Sequence, residues 1–233
     1  MNNRTSDFQS PAQNDDKKMY AIRVWDFPTR IFHWLLVAFV VFSFITGKIG
    51  GTALKYHELS GFVILVLVVF RLVWGFVGGE QSRFITFVKG PAAVIRYASS
   101  LLRRDSIRHI GHNPLGGWSI LAMLVSLLIQ TGTGLFANDD VLFEGPLYHL
   151  VSKKTSDWLT SIHLLNQKVL LILVVIHIGA VLFYLIAKRE NLMKPMITGT
   201  KVWHQNQDSS WGHPVLALII LAVVAVIAYM LVY

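Results

Sequence analysis

Five apolar runs of helix length alternate with polar segments along the chain. A helix rises about 1.5 Å per residue, so about 20 apolar residues cross a hydrocarbon core of roughly 30 Å. The pattern therefore predicts an all-α integral membrane protein. Its predicted spans are residues 30–46, 57–77, 117–136, 158–187 and 214–233. Residues 91–102, within the longest polar connection, are predicted to form a surface helix whose apolar side chains lie on the membrane.

Composition agrees with the membrane prediction and excludes several classes of protein. With 54% hydrophobic residues and a mean hydropathy of +0.53, the chain is too apolar for a soluble domain. Cysteine is absent, which excludes disulfides, thiolate metal sites and covalent attachment of c-type haem. Residues 1–19 are polar and are predicted to be a disordered tail. We expect no signal peptide before the first span, and we expect that span to remain in the mature protein.

The basic residues predict an orientation rather than a nucleic-acid partner. The net charge is +8, but the lysines and arginines lie in short segments that border the apolar runs. Five lie before or at the start of the first span, six between the second and third spans, and four between the fourth and fifth. The opposite side holds four. This bias predicts a cytoplasmic N-terminus and an external C-terminus, and we expect no nucleic-acid binding.

Two histidines in the fourth span, His163 and His177, share one face of their helix. Their separation of fourteen residues places them about 21 Å apart along the axis and about 40° apart around it. Each could be a core histidine satisfied by a neighbouring hydroxyl or carbonyl group. Ionisable groups inside a membrane are nevertheless costly, and they usually mark functional sites. The choice depends on whether partners lie at the same depth on other spans.

The predicted orientation supplies those partners. His57 opens the second span, and it lies at the external depth of His163. His33 is near the start of the first span, at the cytoplasmic depth of His177. We call His57 with His163 the outer pair, and His33 with His177 the inner pair. Four histidines therefore form two pairs at two depths.

Two imidazoles inside a membrane suit haem better than zinc. Zinc usually takes four protein ligands, often with thiolate or carboxylate among them. Haem brings four equatorial nitrogens and needs only axial ligands from the protein. Iron with two imidazole ligands has no open position for oxygen or substrate, so the pairs point to electron transfer. We therefore predict two non-covalent, bis-histidine haem b groups, with quinone as a further possible ligand.

Further residues are candidates for contact with these haems. Haem propionates need cationic partners. Arg30 and Arg71 lie at the inner depth, and Lys168 lies near His163. Each of these three side chains could instead extend to a lipid headgroup. Gly61 shares a helix face with His57, where a missing side chain leaves room for a flat group or for close helix packing. His112 lies in a tight turn and is a candidate for a haem or quinone edge. The remaining histidines are interpreted as solvated: His109, His149, His204 and His213.

The segments WDFPTRIFHW, HELSG, RLVWG and GHNPLGGW, together with the histidine spacing of the fourth span, resemble the bacterial cytochrome b561 family. This family includes the b-type subunit of membrane-bound nickel-iron hydrogenases. The resemblance covers about residues 20–200 and implies a four-helix transmembrane bundle with two b haems. It also implies that the axial ligands are the four histidines already paired by depth. The fifth span departs from this pattern, so residues 201–233 are predicted to be a linker and an additional C-terminal helix.

The resemblance implies a carrier of electrons between a redox partner and the quinone pool, in the respiratory chain of a bacterial inner membrane. The partner would be a c-type cytochrome or a hydrogenase-type subunit. An alternative on the same fold is a superoxide:quinone oxidoreductase, which requires a basic funnel near the outer pair. A third possibility is a haem-free membrane anchor or transporter, although the spans lack paired carboxylates.

Overall fold

The computed structural model of the chain describes residues 19–101, 109–141, 143–207 and 209–233. The tail predicted over residues 1–19 lies, except for Met19, outside these ranges. Within them the protein is mostly helical. The helices are α1 (Phe27–Ile49), α2 (Leu54–Val77), α3 (Phe84–Phe87), α4 (Pro91–Ser100), α5 (Pro114–Gly134), α6 (Lys153–Ile186), α7 (Met193–Thr198) and α8 (Pro214–Val232). The strands are β1 (Tyr20–Arg23) and β2 (Thr200–Trp203).

Within the described ranges, five helices are long and apolar enough to cross a membrane, as the apolar runs predicted. They are α1, α2, α5, α6 and α8. Most begin before the predicted span, because a polar or proline residue starts the helix ahead of the apolar run. Asp26 caps α1, Asn113 caps α5 and Ser152 caps α6, each through a side chain that accepts a backbone N–H of the first turn. The predicted surface helix is α4; its last predicted residue, Leu102, lies outside the described ranges.

Helix α2 is the centre of the bundle. It packs against α1, α5 and α8, whereas α6 packs mainly on α5. The buried core lies along α2 and comprises Phe32, Ile64, Leu67, Val68, Phe70, Trp74, Leu124, Leu127, Leu170 and Ala217. Helices α1, α2, α5 and α6 form the predicted four-helix bundle, and α8 is the additional helix. Helix α6 buries little of its surface, and with α1, α2 and α5 it lines a cavity.

A short antiparallel ribbon closes one end of the bundle, and the sequence pattern did not predict it. Strand β1 pairs with β2 so that Tyr20 faces Trp203 and Arg23 faces Thr200. Ile22 and Trp25 pack with Trp203 in a second, smaller core. The domain boundary predicted at residue 200 falls at the first residue of β2, so the residues just after it are hydrogen-bonded to the predicted haem domain.

Candidate functional site

The structure brings the outer pair together inside the bundle. His57 lies in the first turns of α2 and His163 lies on α6. Their ring centroids are 6.0 Å apart and the ring planes are nearly perpendicular, at 83°. Two metal–imidazole bonds of about 2 Å each, together with the ring radii, span roughly this distance. The separation therefore fits one metal held between the two rings.

Backbone carbonyl groups fix the tautomer of both rings in the same way. Nδ1 of His57 lies 2.8 Å from the carbonyl oxygen of Ser43, and Nδ1 of His163 lies 2.9 Å from the carbonyl oxygen of Gln130. A carbonyl oxygen only accepts, so each Nδ1 must donate. Nε2 of each ring is then the unprotonated nitrogen, which is the form that binds a metal. Histidine ligands usually donate their second N–H to such a carbonyl group.

Two glycines make room for these rings, and the sequence analysis did not identify them. A Cβ atom on Gly47 would lie 2.9 Å from Nδ1 of His57, and one on Gly134 would lie 3.0 Å from Cε1 of His163. Each glycine follows, by four residues, the carbonyl group that holds the same ring. The repeated spacing in α1 and α5 was a signal in the sequence, but its meaning depends on which helix faces each histidine.

A cavity between α1, α2, α5 and α6 contains the outer pair, and we call it the outer cavity. Gly61 lines it, and nothing lies within 4 Å of the position that a Cβ atom on Gly61 would occupy. Glu58 and Asp139 also line the cavity, whereas no lysine or arginine does so among the described residues.

The structure does not bring Lys168 to the outer cavity. Its side chain is exposed on α6, and it is absent from the residues that line the cavity. The sequence placed Lys168 by depth alone. Five residues of helix beyond His163 turn the side chain by about 140°, which points it away from the outer pair.

The inner pair shares helix α6 with the outer pair and lies toward the opposite end of that helix. His33 is on α1 and His177 is on α6, and the two rings are within electrostatic range of each other. Both are half-buried. In the part of the chain that the structure describes, the buried side-chain nitrogens without a hydrogen-bond partner are Arg30 Nε, His33 Nδ1, Arg71 Nη1 and His109 Nε2. Because a buried polar group without a partner is costly, the nitrogens of Arg30, His33 and Arg71 fit a polar or anionic ligand at this end of the bundle.

Two of these unpaired nitrogens belong to the arginines predicted for the inner depth. Arg71 is 4% exposed, and its guanidinium lies 5.0 Å from the ring centroid of Phe84. Arg30 is half-buried and donates through Nη1 to the carbonyl oxygen of Ile197. Both cations retain a free nitrogen. An anionic group between the helices, such as a haem propionate, would satisfy them.

His112 is packed among aromatic rings, within electrostatic range of the inner pair. Its ring contacts Trp25 and Phe87, with centroids 4.5 Å and 5.1 Å away. Burial and the nearby Arg71 guanidinium lower the pKa of His112 to about 3, and His177 and His33 contribute further. Its imidazole is therefore neutral at physiological pH and can act as a hydrogen-bond donor or acceptor beside a cofactor.

The other histidines fall into two groups. His149, His204 and His213 are exposed, in accord with their interpretation as solvated residues. His109 is not solvated, because its ring packs on Tyr97 and its Nε2 is buried. Burial and the nearby Lys201 ammonium lower the pKa of His109.

These features define a class of protein. A multi-pass helical bundle with histidines facing each other across its interior is an architecture of membrane cytochromes. Residues 24–199 match the family described as prokaryotic cytochrome b561, and the chain belongs to that family. It is therefore an electron-transfer protein of b type, which implies haem b as its cofactor. Both pairs fit that group: the outer by the spacing and tautomers of its rings, the inner by its unpaired nitrogens.

Curated relatives agree with this assignment. The chain is 25% identical over 218 residues to a protein of Bradyrhizobium diazoefficiens, covering 77% of this chain and 85% of that protein. It is 24% identical over 234 residues to a protein of Azotobacter vinelandii, covering 84% and 95%. Both relatives are named probable Ni/Fe-hydrogenase B-type cytochrome subunit. No solved structure matches the chain.

Proposed function

We propose that the protein is a di-haem membrane cytochrome that carries electrons between a redox partner and the quinone pool. The outer and inner pairs would each hold one haem b through two imidazoles. Helix α6 contributes a ligand to each haem and so links the two sites along about 21 Å of one helix. Haem with two imidazole ligands exchanges one electron at a time and leaves no position for substrate on the iron.

One observation carries this proposal: the centroids of the outer imidazoles are 6.0 Å apart, and both Nδ1 atoms are hydrogen-bonded to carbonyl oxygens. A histidine pair that served only to pack the bundle would need neither a common tautomer nor a cavity lined by both rings. The same pre-arranged rings limit how far the site must adjust when iron changes its oxidation state. This rigidity favours electron transfer.

The inner pair supports a site for an anionic cofactor edge. Arg71 and Arg30 supply cations where the dielectric is low, and His112 supplies a neutral imidazole. We assign the quinone contact to this end of the bundle, where His112 can hydrogen-bond a carbonyl oxygen. We assign the redox partner to the opposite end, beside the outer pair. The names of the relatives favour a hydrogenase as that partner over a c-type cytochrome.

The orientation predicted from the charges places this partner outside the bacterial inner membrane and the N-terminus in the cytoplasm. No observation favours the superoxide:quinone alternative. Among the described residues, the acidic side chains Glu58 and Asp139 line the outer cavity and no basic side chain does, so the lining gives no support to the basic funnel that the alternative requires.

The proposal is tested by mixing the purified, oxidised protein with a soluble quinol under anaerobic conditions and following the haem absorbance. We expect rapid reduction in the wild type and in His57→Ala, which keeps the inner pair. His33→Ala should be reduced much more slowly, because the haem next to the quinone contact is lost. Dithionite serves as the control that reduces any haem present. Failure of quinol to reduce the wild type, or equal rates in both variants, would contradict the assignment.

A further inference from the structure

Asp26 is a buried carboxylate that the proposed function does not use. It is 2% exposed and lies just before α1, where Oδ1 accepts the N–H of Thr29 at 2.8 Å. Oδ2 accepts the N–H of Gly79 at 2.9 Å and the hydroxyl of Ser82 at 3.1 Å. Trp74 Nε1 lies 3.3 Å from Oδ2. This carboxylate therefore ties the start of α1 to the turn that follows α2.

Ser82 connects Asp26 to Arg71. The carbonyl oxygen of Ser82 accepts Nη2 of Arg71 at 2.9 Å. The Ser82 hydroxyl donates its one hydrogen to Asp26, so it must accept from Thr29 Oγ1, which lies 2.7 Å away. Both ends of Ser82 are thus fixed: its side chain by Asp26 and Thr29, and its backbone by the guanidinium.

The arrangement leaves one edge of Arg71 held and the other free. Nη2 is bonded to Ser82, whereas Nη1 is buried without a partner. The guanidinium lies over Phe84 and acts electrostatically on His112, which is itself within range of His33. A planar guanidinium that is fixed at one edge presents the other edge in a defined direction.

We propose that Asp26 is a positioning residue: through Ser82 it orients Arg71 toward an anionic group on the haem held by the inner pair. This inference rests on the proposed function and adds to it a determinant of the inner haem's reduction potential. A cation beside a haem stabilises the reduced form and raises its potential. Asp26 thereby raises the potential indirectly, although its own negative charge acts in the opposite direction.

The role of Asp26 is testable because its effect through Arg71 and the effect of its own charge shift the reduction potential in opposite directions. In Asp26→Asn, the amide can still cap α1, but its NH2 group then faces the donors of Gly79 and Ser82 and releases the turn. Potentiometric titrations of the full-length protein, followed by haem absorbance, would compare Asp26→Asn, Arg71→Gln and the double variant. His57→Ala and His33→Ala assign the two midpoints to the inner and outer haems.

Positioning predicts that Asp26→Asn and Arg71→Gln each lower the inner midpoint and leave the outer midpoint unchanged. The inner midpoint of the double variant should be no lower than that of Arg71→Gln alone, because Asp26→Asn lowers nothing further once Arg71 is gone and the loss of its own charge acts upward. Asp140→Asn is the control: it removes an exposed carboxylate, in the external loop, and should move neither midpoint. If Asp26→Asn does not fold, Ser82→Ala takes its place, because it keeps both the carboxylate of Asp26 and the carbonyl group of Ser82. We expect Ser82→Ala to lower the inner midpoint by less than Arg71→Gln does.

Three outcomes would overturn the inference. A raised inner midpoint in Asp26→Asn would mean that Asp26 acts by its own charge. Additive shifts in the double variant would mean that Asp26 and Arg71 act independently. Unchanged midpoints with reduced thermal stability would mean that Asp26 only supports the fold. A wild type that binds fewer than two haems would contradict the proposed function itself, and is recognised before any variant is measured.

Discussion

Gly47 and Gly134 show how a single missing side chain decides whether a histidine can reach its place. Each lies on a neighbouring helix, four residues after the carbonyl group that accepts from the ring, so carbonyl and gap share one helix face. Each histidine ring occupies the space beside the glycine, and its Nδ1 donates to the carbonyl group on the same helix face. The same geometry recurs in α1 and α5, which gives the two outer ligands equivalent surroundings.

Gly61 offers a test at this scale, because its neighbourhood is open. Neither Gly61 nor Gly179 has an atom within 4 Å of a built Cβ position, but only Gly61 lines the outer cavity. Alanine stabilises a helix interior by about 0.5–1 kcal/mol relative to glycine. We therefore expect both alanine variants to match or exceed the wild type in stability without haem. Gly61→Ala alone should lose haem from the outer site.

Haem per chain and thermal unfolding of the two alanine variants check this expectation. Gly179→Ala is the matched control, since its exposed position faces away from the cavity. Two haems per chain and an unaltered spectrum in Gly61→Ala would show that nothing occupies the space beside Gly61.

At the residue scale, the sequence predicted how deep each side chain lies in the membrane, but not which neighbouring helix it faces. Charge bias and helix rise grouped His57 with His163 and His33 with His177, and the structure places each pair at one end of the bundle. Lys168 was chosen by depth too, but it lies on the exposed side of α6. The roles of Gly47 and Asp26 depend on contacts between helices, and the spacing within one helix does not contain that information.

At the scale of elements, the apolar runs predicted the spanning helices. Capping residues start several of these helices before the apolar run begins. The ribbon of β1 and β2 escaped prediction because each strand has only four residues and gains its partner from the far end of the chain. Helix α8 lies beyond the residues that match the family, and it packs along α2. The Tyr233 hydroxyl donates to Glu58 at 3.0 Å, which connects α8 to the rim of the outer cavity.

Helix α4 is attached to the bundle through a pair of tyrosines. The hydroxyls of Tyr97 and Tyr184 are 2.5 Å apart, and Asn113 donates to Tyr184 at 2.9 Å. Burial raises the pKa of Tyr97, so the phenol stays neutral. Tyr97→Phe should destabilise the attachment by about 1 kcal/mol and speed hydrogen exchange across α4. Ser99→Ala, which removes a bond within α4 itself, is the control. Equal exchange in wild type and Tyr97→Phe would show that other contacts hold α4.

For the whole molecule, the predicted orientation can be measured directly because the chain contains no cysteine. Asp140→Cys introduces a thiol in the loop after α5, and Arg96→Cys introduces one on α4. A membrane-impermeant maleimide should label the first in intact spheroplasts and the second only after permeabilisation. The reverse pattern would place the N-terminus outside and exchange the sides assigned to quinone and partner.

Two haems in one bundle are the central claim about the molecule, and haem content tests it most directly. A pyridine haemochrome assay on purified protein should give two b haems per chain in the wild type. His57→Ala and His33→Ala should each give one, because each variant removes a ligand from a different pair. One haem or none in the wild type, or the loss of both haems in either folded variant, would contradict the assignment of two independent bis-histidine sites.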